Sequence, residues 1–562
     1  MKKPMLFAAA AALISGAALA APAHAPIDPA VMSQDIKVLS SDAFEGRGPA
    51  TRAEPKTIAY IVQQFKAAGL QPGGDKIGGD ATKSGRAWTQ NVPLAEFQTE
   101  GPVVTRIAAG GETLTFKQGE EVALRAAQTG QTHLAIKDAP VVFIGYGVKA
   151  PERRWDDFKG VDLHGKIALV LVNDPDFETA PKCENGCDFG GKAMTYYGRW
   201  TYKYEEAARQ GALGMLVIHE RAPASYGWNT VKNSNTNAIF DIIRKDPAKA
   251  HSPLEGWIQR DATVQLFKAA GLDFEALKKQ AQTREFRPVT LKGVTWSTDM
   301  AVKAEHVVSH NVVGVLPGKS HPNERIIYTA HWDHLGVGQP DAKGDRIYNG
   351  AVDNASGVAE LIELARLYGK APRTDRTMMF MSVTAEEKGL LGSTYYATNP
   401  LYPLATTVAD INMDSMNVLG RTRDVSSSGN APLTLQDDLI SVAAKQGLSF
   451  TKDSHPESGS FFRSDHFSFA KQGVPAMSIG AGSDLETGGV AAGEAAGEAY
   501  VRDKYHQPAD EWDPNWDLSG MVQETEVLYD LGRRLATSRE WPEWKAGAEF
   551  KAARDKTAAA RK

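Results

Sequence analysis

His331, Asp333, Asp353, Glu386, Glu387, Asp414, Tyr505 and His506 are the residues whose types and spacing can do chemistry. They stand in short signatures: His331-Trp332-Asp333, Asp353-Asn354-Ala355-Ser356-Gly357, Glu386-Glu387, Met413-Asp414-Ser415 and Tyr505-His506. Each follows a short apolar stretch or lies in a polar loop, so different strand ends would deliver them. Packing does not explain that pattern. Imidazoles and carboxylates collected this way form a cage for two metal ions, and the chemistry is hydrolysis by metal-activated water.

Each residue also has a plainer reading. A histidine closing a strand is often a hydrogen-bonded loop residue. Of His331 and His334, which share His-Trp-Asp-His, His331 lies closer to the strand end and is the expected ligand. A ligating imidazole passes its other ring proton to an acceptor, and Asp333 is placed to take it. Asp353 could be an ordinary helix cap, but Ser356 is the better cap for a helix starting at Gly357 or Val358. That leaves Asp353 free to bridge two metals. Glutamate pairs are usually solvated, yet Glu386-Glu387 sits between Val383-Thr384-Ala385 and Gly389-Leu390-Leu391-Gly392, which read as buried. Adjacent residues point in different directions, so one can hold metal while the other takes a proton from water. Asp414 follows a strand, and His506 lies in a polar loop beside Tyr505, whose hydroxyl can meet a developing oxyanion.

The elements that would position these groups alternate. Segments 311–316, 325–329, 377–383, 408–412 and 474–479 read as strands, and 356–368 as a helix with Val358, Leu361, Ile362 and Ala365 on its apolar face. The alternation implies an α/β fold with a mainly parallel, helix-covered sheet, whose site lies outside the carboxyl ends of the strands. Near the start, 29–39 and 55–68 read as helices around a turn-rich stretch containing Phe44-Glu45-Gly46-Arg47-Gly48. From 94 to 290 the texture changes to short buried strands, as in Val141 to Ile144, Ile167 to Val172 and Met215 to Ile218. That segment reads as an inserted β-rich domain, with one helix over 202–209. The expected division is a leader at 1–25, catalytic parts at 26–93 and 291–545, the insertion at 94–290, and a Lys- and Ala-rich tail at 546–562 forming a surface helix or frayed end.

Lys2 and Lys3, the apolar run Met5 to Leu19 and the small-x-small sites around Ala20 and Ala25 form a secretory leader. The run is shorter than the ~20 apolar residues that a membrane span needs. An exported chain without stable membrane insertion follows. Across 562 residues the formal charge of −5 gives no reason to expect a nucleic-acid or membrane-surface partner. Cys183 and Cys187 are the only cysteines. In an oxidising compartment a local disulfide is favoured over zinc, since His164 and His219 are too isolated to complete a closed site.

Taken together, the signatures resemble the co-catalytic di-zinc aminopeptidase family that also includes glutamate carboxypeptidases. The shared features are Asn311-Val312-Val313-Gly314 leading to Pro317-Gly318, His331-x-Asp333, Asp353-Asn354-x-Ser356-Gly357, Glu386-Glu387 before Gly389-Leu390-Leu391-Gly392-Ser393, Asp414, and Tyr505-His506. Leu39 to Arg47 looks like exported bacterial members. Gly145-Tyr146-Gly147, Asp162 to Ile167 and Ala207 to Gly214 resemble a protease-associated domain. The resemblance implies two zinc ions: one held by His331, Asp353 and Asp414, the other by Asp353, Glu387 and His506. It implies Glu386 as general base and then acid, Asp333 orienting His331, and Tyr505 contacting the tetrahedral intermediate. The implied activity is removal of N-terminal residues from peptides. A carboxypeptidase or dipeptidase on the same scaffold would need a cationic pocket, to which Arg463 offers one charge; Asp465 could instead meet an α-amino group. A non-catalytic binding protein is disfavoured by the complete ligand set.

Overall fold

The computed structural model describes residues 24–77, 85–179, 187–429 and 431–561. The body of the expected leader and Cys183 lie outside the described residues, and with them the expected cleavage and disulfide.

Helices α1 (Pro29–Leu39) and α2 (Glu54–Ala67) open the chain. Strand β1 (Thr89–Ala109) then leads into β2 (His133–Phe143), β3 (Ile167–Leu171), β4 (Gly214–His219) and β5 (Leu254–Gln259). Helices α3 (Trp200–Arg209), α4 (Trp228–Thr236), α5 (Arg260–Ala269) and α6 (Phe274–Ala281) accompany these strands. Strand β6 (Val289–Leu316) returns along β1 in antiparallel register from Val294 opposite Ala109 to Val312 opposite Thr89. The remaining strands are β7 (His321–His331), β8 (Arg376–Val383), β9 (Thr407–Asn412) and β10 (Ala476–Ala481).

One sheet runs in the order β10-β9-β7-β8-β6-β2-β3-β4-β5. Strands β10, β9, β7 and β8 are parallel. So are β2, β3, β4 and β5. Between the two groups lies β6, antiparallel to β8 at one end and to β2 at the other. The fold is α/β with a large, mainly parallel sheet.

Side chains alternate across each strand, so a parallel sheet covered on both faces must be apolar on both. In β3, Ile167, Leu169 and Leu171 enter one core while Ala168 and Val170 enter another. The half built on β7 to β10 has its own core. It joins β8, α1, α2, α7 (Gly357–Lys370) and α8 (Ser519–Thr537) through residues such as Ile36, Phe65, Leu361, Phe380 and Leu531.

One local expectation changes and another narrows to one of its two alternatives, the helix, found over Lys551–Asp555. Ser356 does not cap α7. Its backbone is helical, and its hydroxyl donates to Val352 O at 2.6 Å. Asn354 takes the capping role, its Oδ1 accepting from Gly357 N at 3.0 Å. The tail is docked rather than frayed. Trp544 and Arg554 are buried, donating to Gly473 O and Thr407 O at 3.0 Å each.

Arg47 is a strut for the site. The turn before it needs glycine: Gly46 has φ +64°, and a Cβ there would lie 2.4 Å from Tyr348 O. The guanidinium donates to Trp332 O (2.8 Å), Leu39 O (2.8 Å), Asn349 O (2.6 Å) and Gly350 O (2.7 Å). It thereby ties the loop after β7 to the loop carrying Asp353. Burial pulls its pKa down to about 10, against the pull of Asp510 and Asp333. Arg47→Ala leaves these carbonyls without their donor, so a loss of roughly 3 kcal/mol or more is expected. Urea unfolding checks it; a variant within about 0.5 kcal/mol of the parent would show the strut to be dispensable.

Candidate metal centre

The carboxyl ends of β7, β8 and β9 lie side by side because these strands are parallel neighbours. His331 closes β7, Glu386 and Glu387 follow β8, and Asp414 follows β9. Asp353 arrives on the turn Ala351–Ser356 that precedes α7. That turn is held by Asp510, whose carboxylate accepts from Val352 N (3.1 Å) and Asp353 N (3.0 Å).

His331 Nδ1 lies 3.1 Å from Asp333 O. A carbonyl can only accept, so Nδ1 carries the proton and Nε2 is left as the ligand atom. Nε2 is 3.3 Å from Asp353 Oδ1 and 3.4 Å from Asp414 Oδ1. The Asp333 carboxylate, expected to orient this ring, stands 3.9 Å from Nδ1. It accepts instead from Glu386 N at 3.1 Å and Glu387 N at 3.4 Å. Asp333 therefore fixes the glutamate turn with its side chain and the histidine with its carbonyl.

His506 Nε2 is 2.9 Å from Glu387 Oε2 and 3.4 Å from Asp353 Oδ2. Its other ring nitrogen lies 2.8 Å from Ser234 Oγ, and its carbonyl accepts from Asn233 Nδ2 at 2.9 Å. Both partners sit on α4. Residues of α4 thus reach the site and hold the His506 ring in place, which no feature of residues 228–236 announces.

His331, Asp353 and Asp414 form one group able to hold an ion; His334, Asp353 and Glu387 form another. Asp353 is shared. His334, set aside in the sequence reading, lies with Nδ1 2.5 Å from Glu387 Oε1. The signal was present in His-Trp-Asp-His, but position along the chain does not tell which imidazole turns inward; both do. Glu386 stays outside both groups, its Oε2 4.0 Å from His331 Nε2.

Burial drives Glu386 well above the usual carboxylate range, with His331 opposing and Glu387 and Asp414 adding to the rise. Burial acts the same way on Asp353 and Glu387, but His331 and His506 hold Asp353 well below that range. His506 and His334 hold Glu387 at about 2. So many buried carboxylates need more positive charge than two or three imidazoles supply. The donor set, imidazole nitrogen and carboxylate oxygen, fits zinc.

The site opens into a cavity of about 340 Å³ whose walls come from both halves of the chain, Glu386, Asp414 and Arg463 from one and Arg199, Tyr226 and Ser234 from the other. Tyr505 stacks on His506 at 3.9 Å between ring centroids, and its hydroxyl accepts from Arg463 Nη2 at 2.9 Å. Asp465, the alternative candidate for meeting an α-amine, is fully buried and does not line this cavity. It lies beneath the site, where burial lifts it to about 7.

Fold and site together define an α/β protein with a candidate metal centre at the carboxyl ends of its parallel strands. Residues 311–529 match the family described as Peptidase family M28. Aminopeptidase NAALADL1 of Mus musculus is 30% identical over 155 residues, 24% of this chain and 19% of the relative. Aminopeptidase YwaD of Bacillus subtilis (strain 168) is 28% identical over 195 residues, 34% of this chain and 37% of the relative. The chain thus matches only about a fifth of the length of the first of these curated relatives. Among solved structures, an aminopeptidase from Aneurinibacillus sp. strain AM-1 has the same fold, with a TM-score of 0.51 and 20% identity over 91% of this chain and 94% of that one.

Proposed function

We propose that this chain is an exported, zinc-dependent aminopeptidase that removes N-terminal residues from peptides. The observation that carries the proposal is the pair of buried acid–imidazole groups sharing Asp353, with Glu386 beside them and outside both. Its similarity to aminopeptidases supports the same reading. Among the described residues no helix is long and apolar enough to cross a membrane.

His331, Asp353 and Asp414 would hold one zinc ion; Asp353, Glu387 and His506 the other, with His334 packed against Glu387. Bound there, two ions supply Lewis acidity for the scissile carbonyl and acidify a water. Glu386 accepts the proton of the attacking water and returns it to the leaving amine. Tyr505, steadied by Arg463, donates its hydroxyl to the developing oxyanion. Asp333 keeps Glu386 aimed by gripping its backbone, and Ser234 keeps His506 from rotating.

The second reading is an exopeptidase working from the carboxyl end, favoured by the presence of Arg463 on the cavity wall. The two are separated by blocking each end of a peptide in turn. Acetylating the substrate amine should abolish cleavage, while some peptides with a C-terminal amide should remain substrates. Good cleavage of N-acetyl peptides with resistance of every C-terminal amide would establish the carboxypeptidase reading instead.

A further inference from the structure

The Asp414 carboxylate has few anchors of its own. Among the described residues it is met by His331 Nε2 at 3.4 Å and by the hydroxyl of its neighbour Ser415 at 3.3 Å. Its place is therefore set by the main chain that carries it. That chain is strained: Ser415 is held at φ +62°, a left-handed conformation that a side chain disfavours. Packing does not wedge it from outside, because residues 414–419 border a cavity of about 620 Å³.

Three side chains from other elements hold the segment instead. Asn354 Oδ1 receives Ser415 N at 3.2 Å, and Asn354 Nδ2 donates to Met413 O at 3.0 Å. Ser356 Oγ receives Met416 N at 2.9 Å. Both belong to the turn that carries Asp353. The third is Glu524 on α8, only 5% exposed. Its Oε2 receives Asn417 N at 3.0 Å, and its Oε1 receives Ala481 N, at the end of β10, at 2.6 Å. Two backbone amides on two oxygens is a pattern that a carboxylate satisfies and a side-chain amide cannot.

Glu524 has a buried acidic neighbour, Glu360 on α7. The two divide the charge unequally. Thr525 Oγ1 lies 2.8 Å from Met521 O and 2.9 Å from Glu360 Oε1. A hydroxyl has one proton, and a carbonyl can only accept it. With that proton on Met521 O, Glu360 is the donor in the other contact and so a neutral acid. Burial and the charge of Glu524 raise Glu360 well above the carboxylate range. Burial raises Glu524 too, but the amides of Asn417 and Ala481 oppose it and leave it at about 7. Glu524 is the ionised member of the pair.

We infer that Glu524 is a positioning residue for the metal centre: by gripping Asn417 N it holds the strained segment of Asp414 against the turn of Asp353, and so tightens the ion that Asp414 ligates. It acts through the backbone alone. The inference rests on the zinc reading above and adds to it a group that touches none of the proposed ligands.

The test is the stepwise zinc affinity of the full-length protein, measured by competition with a chromogenic chelator. Glu524→Gln turns an NH2 group toward one of the two backbone amides, donor against donor. It should loosen one zinc ion by ~10–100-fold and leave the other within about threefold, the scale for partners that orient a ligand. Glu360→Gln keeps a donor for Thr525 Oγ1 and should change neither affinity. Repeating Glu524→Gln in an Asp414→Ala background assigns the ion. There the remaining zinc should bind as it does to Asp414→Ala alone, since the two changes act on one position. Activity lost by Glu524→Gln should return as zinc is raised, which general damage to the fold would not allow.

Both ions loosened equally, or neither, would overturn the inference. So would an undiminished effect of Glu524→Gln without Asp414. If Glu524→Gln does not fold, Glu524→Asp keeps the charge but not the reach to both amides. The same ion should then loosen, and parental affinity for both would refute the inference. A parent that binds zinc and cleaves no peptide sinks the peptidase reading alone, and the affinities still decide the role of Glu524. A parent that binds no zinc sinks both.

Discussion

Glu386→Gln is expected to lower kcat by ~10²–10⁴ while leaving bound zinc unchanged. Glutamine keeps the shape but cannot accept the proton of water. The separation of effects follows from position. Glu386 lies outside both acid–imidazole groups, whereas Glu387 stands 2.9 Å from His506 and 2.5 Å from His334. The paired measurement is steady-state kinetics beside elemental analysis of the same preparation. Near-parental kcat would remove Glu386 from the mechanism. Loss of zinc with the activity would exchange the roles of Glu386 and Glu387.

Asp353→Ala should empty both metal positions, whereas Asp414→Ala should affect mainly one. Asp353 Oδ1 faces His331 at 3.3 Å and Oδ2 faces His506 at 3.4 Å, so one side chain spans the two groups. Among the described residues Asp414 approaches only His331 of the imidazoles, at 3.4 Å. Two ions stabilise transition-state charge by several kcal/mol, so the loss of activity on Asp353→Ala should reach ~10³-fold or more. Zinc content after gel filtration, compared among parent, Asp353→Ala and Asp414→Ala, gives the answer. One tightly held ion in the parent, with no activation by a second, would contradict the two-metal proposal. Equal depletion in both variants would deny Asp353 its special place.

Much of this was legible in the sequence because parallel α/β sheets obey a simple rule. Strands running the same way present their carboxyl ends on one edge, so residues just after apolar runs must meet there. His331, Glu386, Glu387 and Asp414 each follow such a run, and the order of strands and helices identified the α/β class. Asp353 was found by a partly mistaken route. Ser356 was thought to free it by capping the helix, whereas Asn354 caps and Ser356 is buried in the turn. Asp353 nonetheless joins the cluster because the turn before α7 enters at the same edge of the sheet.

The sequence by itself determined the chemical inventory, the strand ends that deliver it and the α/β class, because these depend on local periodicity and on chain order. Only the tertiary structure decided which atoms meet. It turned His334 inward with His331, gave His331 a carbonyl instead of a carboxylate as its orienting partner, and sank Asp465 beneath the site. It also brought Ser234 to His506 and Arg199 to the cavity from the inserted half, across 272 positions in the first case. Contacts of that range come from how two cores settle against one shared strand, β6, and a linear pattern does not encode that geometry.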